Sequence, residues 1–234
     1  MISLKQYYNT AKEKPVQETS QPQKTRKNFL WGFVGHNTTG KTPTAVELCK
    51  AWKAVRPGWK AIGYDPQDKF TEAGVLDIRI YASNADWAKV LCQQDPVTKK
   101  WKYGNSLLIL DDYRMLHPND SMDKGFLDLL ALRVRMNMDI VFICHNPKLI
   151  LERLSYYVTH YSIFYTESQL GAFQNRIPKY VACQKASVLI NKYVLKFGRG
   201  QYPNFPHILV ENESDELQLI NMERSKVNQI YKAA

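Results

Sequence analysis

Residues 35–42, GHNTTGKT, constrain the fold of this chain more than any other stretch. Four residues separate Gly35 from Gly40, and Lys41 and Thr42 follow, which is the spacing of a loop that binds the phosphates of a nucleoside triphosphate. The preceding residues, NFLWGFV, have the pattern of a buried strand, and the following PTAVELCKAW has that of a helix. The glycine-rich loop therefore lies between a strand and a helix, the context that this motif requires.

Each residue type in the loop has a physical role in binding a triphosphate. The glycines let the backbone pass close to the phosphates, so that its N–H groups and the N-terminus of the helix face the anion. Lys41 reaches the β- and γ-phosphates, and the hydroxyl of Thr42 binds Mg²⁺. We therefore predict ATP and Mg²⁺ as cofactors, with the nucleotide bound by Gly35, His36, Asn37, Thr38, Thr39, Gly40, Lys41 and Thr42.

A second motif, SLLILDD at residues 106–112, places two acids at the end of an apolar run. Asp111 would hold Mg²⁺ through water, and Asp112 would polarise the attacking water, while Lys41 and the metal stabilise the charge on the transferred phosphoryl group. By itself such an acid pair is often only a helix cap or a loop acid. Asp112 is also one methylene shorter than glutamate, so the water must lie closer or hydrolysis is slow.

The run DIVFICHNP ends in His145 and Asn146. A polar side chain at the end of a strand beside both motifs is placed to sense the γ-phosphate, and we name His145 as a catalytic candidate on that ground. The alternative is a buried or capping histidine without a role in catalysis.

Short apolar runs alternate with helical patterns from residue 28 onward, which predicts an α/β fold with a mostly parallel sheet covered by helices on both faces. The predicted strands are 29–34, 60–64, 77–82, 106–111, 140–144 and 161–165. The predicted helices are 41–55, 85–94, 121–137, 147–158 and 178–193. We divide the chain into a polar, flexible N-terminal arm (1–27), a nucleotide-binding domain (28–200) and a C-terminal extension (201–234). The last 24 residues would form a terminal helix or a partly ordered tail.

The chain is basic, with 32 Lys and Arg against 22 Asp and Glu and a net charge of +10. Such an excess attracts polyanions, so nucleic acid is the first partner to consider, although a basic surface can also serve solubility alone. Four widely spaced cysteines form no CxxC pair, which argues against zinc or a disulfide framework. No apolar run is long enough to span a bilayer and no signal-peptide core is present, so we expect a soluble, intracellular protein.

Together these segments resemble the FtsK/HerA superfamily of DNA-pumping P-loop ATPases, over roughly residues 28–165. That superfamily has a D-P-x-G/D segment after its second strand, and GYDPQDKF matches it with Asp65, Pro66 and Asp68. The resemblance therefore implies the RecA-like P-loop NTPase fold.

The second specific match is LRVRMNMDIVFICHNPK, where the superfamily has an arginine, a hydrophobic strand and then T-Q-x-P. Arg135 stands at the arginine position, His145 where glutamine is usual, and Pro147 at the proline. Asp112, where glutamate is common, is a further departure. The resemblance implies a homo-oligomeric ring with ATP at each interface, in which Arg133 or, by motif position, Arg135 reaches the neighbouring γ-phosphate.

Two branches of the superfamily are small enough to match. One contains genome-packaging ATPases of tailless icosahedral viruses; the other contains assembly ATPases of filamentous phages, similar to zonula occludens toxin, which usually carry a membrane-spanning segment. Because this chain has none, we choose the first branch, and the resemblance then implies an ATPase that moves viral DNA into a capsid, with capsid, portal or membrane proteins as partners. A soluble assembly or extrusion ATPase of the filamentous-phage type remains the alternative. It would be found in the host cytoplasm or associated with the virion.

Translocation requires contacts to the phosphate backbone that do not depend on sequence. The stretch VTKKWKYGN interleaves Lys99, Lys100 and Lys102 with aromatic residues, as expected of a DNA-contacting loop or of a β-hairpin with an exposed basic face. Further along, Lys185 and Lys192 are seven residues apart and share one helical face, which a solvated surface explains nearly as well.

Two other function classes remain open at this point. A small-molecule kinase would need an acceptor pocket and an arginine-bearing lid over the phosphates, for which FGRGQYP is the candidate segment. A nucleotide-binding assembly protein without turnover is the other, because Asp112 replaces glutamate.

Overall fold

The structure is a computed structural model, and it describes residues 28–81, 86–116, 122–147, 150–166, 180–212 and 216–231. The proposed N-terminal arm, residues 1–27, lies outside the described residues. The strands are β1 Leu30–Val34, β2 Lys60–Tyr64, β3 Ile78–Ile80, β4 Ser106–Leu110, β5 Met138–Cys144, β6 His160–Ile163, β7 His207–Glu211 and β8 Leu217–Ile220. The α-helices are α1 Lys41–Val55, α2 Lys69–Glu72, α3 Trp87–Leu91, α4 Lys124–Leu132, α5 Glu152–Ser155, α6 Tyr180–Phe197 and α7 Arg224–Tyr231, and a 3-10 helix covers Tyr113–Leu116.

The eight strands form one sheet in the order β3-β2-β4-β5-β1-β6-β7-β8. The first six in this order pair in parallel, so their carboxyl ends meet at one edge of the sheet. The α/β fold with a mostly parallel sheet predicted from the sequence is confirmed. Each predicted strand is present, with ends that differ by a few residues.

Both faces of the central strands are buried, which explains why these strands are apolar throughout rather than alternating. Leu30 and Val34 of β1 point into an apolar cluster that also contains residues of α4 and α6. Trp31 and Phe33, one position along, point to the other face, where they join residues of α1. The sheet is therefore a middle layer, and α1 is held on one side of it with its N-terminus at the carboxyl edge.

A buried carboxylate fixes α1 and the start of β1 to β5. Asp139 accepts hydrogen bonds from the indole N–H of Trp52 (2.7 Å), from the backbone N–H of Phe29 (3.1 Å) and from the amide of Asn28 (3.3 Å). Three donors compensate the cost of burying this charge.

Two of the predicted helices were wrong in extent. The helix predicted over 121–137 ends at Leu132, because Asn137 has φ +55° and turns the chain into β5. The helix predicted over 147–158 is only the four-residue α5, and residues 148–149 lie outside the described part of the chain. In both segments the chain must return quickly to the sheet, and that requirement outweighs the helical pattern.

Strands β7 and β8 were not predicted. β7 pairs antiparallel with β6, and β8 pairs antiparallel with β7, so residues that the sequence analysis assigned to a C-terminal extension continue the sheet. Helix α7 follows, with Val227 and Ile230 buried, which agrees with a terminal helix near the end of the chain.

His207 of β7 makes stability depend on pH. Its side chain is fully buried, its ring stacks on Phe164 at 4.6 Å between centroids, and its Nδ1 lies 3.0 Å from the carbonyl oxygen of Phe205. Burial disfavours the charged imidazolium and lowers the pKa of His207 to about 4.

We expect the free energy of unfolding to decrease by about 3 kcal/mol as the pH falls from 6.5 to 4, because the unfolded chain takes up a proton there that the folded chain does not. Urea unfolding at pH 7 and pH 4 measures the difference. In His207→Phe, which keeps an aromatic ring against Phe164, the decrease should be smaller by that amount. An identical pH dependence in the variant would contradict the assignment.

Candidate functional site

The glycine-rich loop lies where the sequence motifs predicted, between β1 and α1 at the carboxyl edge of the sheet. It borders a cleft of about 700 Å³, lined by loop residues 37–42 together with Asp112, His145 and Phe205. The cleft has the volume of a small-molecule site and is open to solvent on one side. The sequence motifs, which lie far apart along the chain, thus share one cleft.

The loop is anchored to the strands on both sides of β1. The N–H of Gly35 donates to the carbonyl oxygen of Cys144 (3.2 Å), and the N–H of His36 donates to that of Tyr165 (2.8 Å). Gly40 has φ +91°, a conformation that favours glycine, and it directly precedes α1. The loop therefore curves back so that the first N–H groups of α1 face the cleft.

Lys41 is almost completely buried in the wall of the cleft. Its Nζ donates to the carbonyl oxygen of His36 at 2.6 Å, so the side chain folds back along its own loop. Burial lowers the pKa of Lys41 to about 8, although Cys144, Asp111 and Asp112 act in the opposite direction. A lysine that is poorly solvated beside a cleft gains strongly from an anionic ligand.

Asp111 is buried at the end of β4 and has an acidic neighbour that the site prediction did not include. Burial is the main cause that raises the pKa of Asp111 to about 7, and the charges of Asp65 and Asp112 contribute. Asp65, at the end of the adjacent β2, is fully buried, and its Oδ2 accepts hydrogen bonds from the N–H and hydroxyl of Thr71, both at 2.8 Å. The DPQD segment was the signal for this residue.

These acids fit a divalent cation. Oδ1 of Asp65 is buried without a hydrogen-bond partner among the described residues, and the pKa of Asp111 is raised first by burial and then by the charges of Asp65 and Asp112, which a cation would compensate. Within the described ranges, no group of three or more His, Cys, Asp or Glu side chains is arranged to hold a metal ion. A Mg²⁺ site on Thr42 and Asp111, completed by the phosphates of a nucleotide, stays a prediction.

Asp112 and His145 are neighbours in the lining of the cleft. The Nε2 of His145 lies 3.9 Å from Oδ2 of Asp112, and both side chains are about 30% exposed. Burial and the charge of Lys41 lower the pKa of His145, so its imidazole is neutral at pH 7. Asp112 has φ +50°, a turn conformation that directs it from the strand end toward the cleft. Both side chains therefore line the cleft beside the glycine-rich loop.

The two candidate arginines differ in their surroundings. Arg133 is buried, and its guanidinium donates to the carbonyl oxygens of Asn28 (3.2 Å) and Tyr157 (3.4 Å), so it has a structural role inside this chain. Arg135 is exposed and precedes β5, at the amino edge of the sheet. The length of β5 separates it from the cleft by about 20 Å, so Arg135 does not join the site of its own chain.

A segment that the site prediction did not include packs across the loop. We call residues 198–206, between α6 and β7, the strap. Arg199 Nη1 donates to Oγ1 of Thr38 at 3.0 Å, and the ring of Phe205 lies directly on Gly40. From the sequence, FGRGQYP is a candidate lid for a kinase, and its two glycines are the signal for a turn beside the loop.

No protein-family model and no curated protein matches this chain. Solved structures do. The genome-packaging NTPase B204 of Sulfolobus turreted icosahedral virus 2, in complex with ATPγS, aligns with a TM-score of 0.58 at 13% identity, over 82% of this chain and 96% of that one. The fold is that of a P-loop NTPase. The resemblance to a viral packaging ATPase that the sequence motifs predicted is thus confirmed for the fold.

Two further P-loop NTPase neighbours are longer proteins. The pCW3 conjugation coupling protein TcpA, with ATPγS, aligns at 10% identity with a TM-score of 0.52, over 88% of this chain and 65% of that one. The cytoplasmic domain of the type VII secretion ATPase EccC of Thermomonospora curvata aligns at 11% identity with a TM-score of 0.51, over 82% of this chain and 23% of that one. In the described part of this chain, no helix is long and apolar enough to cross a membrane.

Proposed function

We propose that the protein is an ATPase that uses ATP hydrolysis to move viral DNA into a capsid. The observation that carries the proposal is that Lys41 and Asp112 line one cleft next to the glycine-rich loop, with Asp111 buried close enough for its charge to act on Lys41. The packaging assignment is supported by the likeness to B204, which is a genome-packaging NTPase. Such a protein would act in the host cytoplasm or on the virion.

The side chains divide the chemistry among them. The loop N–H groups and Lys41 bind the phosphates, and Lys41 exchanges the His36 carbonyl for the anion. Thr42 and Asp111 hold Mg²⁺, which supplies charge neutralisation at the terminal phosphates when it is bound. Asp112 orients a water molecule for attack on the γ-phosphate and takes up its proton, and the neutral His145 is within reach of the same water.

A homo-oligomeric ring would complete the site. Arg135 is exposed and lies at the opposite edge of the sheet, so within this proposal it serves the site of a neighbouring chain. A guanidinium supplied in this way stabilises the charge of the transition state and links hydrolysis to movement between subunits.

The DNA contact that we propose is the basic hairpin at residues 94–102. Gln94 and Trp101 form an antiparallel bridge, and the N–H of Asp95 donates to the carbonyl oxygen of Lys100 at 2.8 Å. Lys99, Lys100 and Lys102 are exposed on it. Cations on a protruding turn fit contacts to a phosphate backbone that do not depend on sequence.

The decisive experiment measures phosphate release from ATP with and without double-stranded DNA at low salt. We expect DNA to stimulate hydrolysis and bind with a salt dependence. Lys99→Gln/Lys100→Gln should lower the slope of log K against log salt by about two, whereas Lys50→Gln/Lys226→Gln, which removes two charges elsewhere, should not. A rate of ATP hydrolysis that is the same with and without DNA, together with no DNA binding at low salt, would contradict the proposal that the protein moves DNA. Stimulation by single-stranded DNA alone would favour a filamentous-phage type of extrusion ATPase.

A small-molecule kinase is the second candidate, because the strap brings Arg199 to the loop in the manner of a lid. Phosphoryl transfer from ATP to a metabolite, in the absence of DNA, would decide for it.

A further inference from the structure

The strap connects α6 to β7 and crosses the loop from the side of β6. Gly198 and Gly200 flank Arg199 with φ +91° and +72°, conformations that glycine adopts without strain. These two turns bring the chain back from the end of α6 toward the cleft. Arg199 is thus presented at the apex of a reversal, beside a loop that is 161 positions earlier in the sequence.

Contacts at several points hold the strap in place. A Cβ atom added at Gly40 would lie 2.0 Å from Cγ of Phe205, so the ring rests against the loop backbone itself. The hydroxyl of Tyr202 donates to Oε1 of Glu47 on α1 at 2.9 Å. The amide of Asn221 donates to the carbonyl oxygen of Phe205 at 3.1 Å, which links the strap to the residue after β8. The backbone that carries Arg199 is therefore positioned by its own fold.

The guanidinium of Arg199 has neutral partners. Nη1 donates to the Thr38 hydroxyl at 3.0 Å, and the group lies 5.1 Å from the centroid of the Tyr165 ring. Hydrogen bonds to anionic oxygens are roughly twice as strong as those to neutral acceptors, so a phosphate competes well for this donor. The residue is also exposed, so its desolvation cost on binding is small.

Arg199 and the Nζ of Lys41 both contact the first part of the loop, at Thr38 and His36. The Nζ of Lys41 lies 2.6 Å from the carbonyl oxygen of His36, two residues before Thr38. In loops of this spacing the lysine contacts the β- and γ-phosphates. We therefore expect the planar, multidentate guanidinium to be nearer to the outer phosphates than to the α-phosphate.

We propose that Arg199 binds the outer phosphates of the nucleotide in its own chain and so makes the site selective for nucleoside triphosphates over monophosphates. The proposal rests on the proposed function only in requiring that the cleft bind a nucleotide. It adds a phosphate ligand from the chain's own strap, separate from the arginine proposed to come from a neighbouring subunit.

The test compares the binding of ATPγS and AMP, each with Mg²⁺, to four proteins by titration calorimetry. Arg199→Ala should bind ATPγS about 10- to 100-fold more weakly than the wild type does, the loss expected for a hydrogen bond to a charged group. Its affinity for AMP should stay within about twofold, since AMP carries no outer phosphate. Arg199→Lys should recover part of the loss as a point charge. Arg224→Ala, an exposed arginine on α7, should match the wild type.

The outcomes separate the possible explanations. Equal loss of ATPγS and AMP affinity in Arg199→Ala would mean that the arginine only braces the loop through Thr38, and it would overturn the proposal. Unchanged affinity for ATPγS would do the same. A wild-type protein that binds neither nucleotide would overturn the proposed function as well. If Arg199→Ala unfolds at a lower temperature than the wild type, Arg199→Lys replaces it in the test, because that variant keeps the charge at the strap. The ratio of its ATPγS affinity to its AMP affinity is then compared with the same ratio in the wild type.

Discussion

Replacing Lys41 with alanine is expected to lower the rate of ATP hydrolysis by about 10²- to 10³-fold, the loss that follows removal of one preorganised electrostatic contact. The side chain is almost completely buried at the cleft, and burial lowers its pKa to about 8. A cation held where water solvates it poorly gives more stabilisation to the charge that develops on a transferred phosphoryl group than an exposed one does. At pH 7 the amine is still protonated, so this stabilisation is present.

The matched control for this variant is Lys50→Ala on the same helix. Lys50 is exposed and forms an ion pair with Glu47 at 3.1 Å, so its loss should leave hydrolysis unchanged. Phosphate release under saturating ATP and Mg²⁺ measures both variants. Lys41→Ala should melt at or above the temperature of the wild type, because a desolvated charge is removed. Wild-type turnover in Lys41→Ala would exclude this cleft as the place of hydrolysis.

Replacing Asp112 with asparagine is the second large effect. Asparagine keeps the size of the side chain and its turn conformation but cannot accept a proton, so kcat should fall by about 10²-fold or more. Asp112 lies at the cleft opposite His145, outside the loop that binds phosphate, and the affinity for ATPγS should therefore stay within about twofold of the wild type.

Single-turnover hydrolysis and nucleotide titration distinguish the two effects. Asp128→Asn, an exposed acid on α4, provides a control for the loss of one negative charge. A variant in which kcat is unchanged would assign Asp112 to the turn alone, and the fall of kcat together with ATPγS affinity would assign it to nucleotide binding. If the wild type binds ATPγS tightly but does not hydrolyse ATP even with DNA, the protein is a nucleotide-binding assembly factor, as the short acid allows.

The parts of the site that follow strand ends could be predicted from the sequence. Gly35, Asp111 and His145 each come directly after an apolar run, and the carboxyl ends of parallel strands meet at one edge. Once the runs are recognised as strands, their neighbours are brought together by topology alone. Asp65 likewise directly follows a strand, β2. Its carboxylate is buried, and one of its oxygens has no hydrogen-bond partner among the described residues, as expected of a residue that belongs to a site.

The strap could not be predicted in this way. Its position depends on β7, a short strand that pairs antiparallel with β6, and no local pattern states which strand a run such as HILVE will join. Arg199 is near Thr38 only because that pairing exists. Motif position favours Arg135 over Arg133, but the structural role of Arg133 becomes visible only from its buried contacts to Asn28 and Tyr157.

The antiparallel strands after the strap cover the outer edge of β6, and β8 becomes the edge strand on that side of the sheet. β6 is paired with β1 on one side and with β7 on the other. A shortened chain that stopped after α6 would leave residues 160–163 as an open edge, with unpaired N–H and C=O groups beside apolar side chains, which is a template for aggregation. The same cut would remove the ring that rests on Gly40. The pairing of β6 and the covering of the phosphate loop therefore depend on the same stretch of polypeptide, residues 198–211.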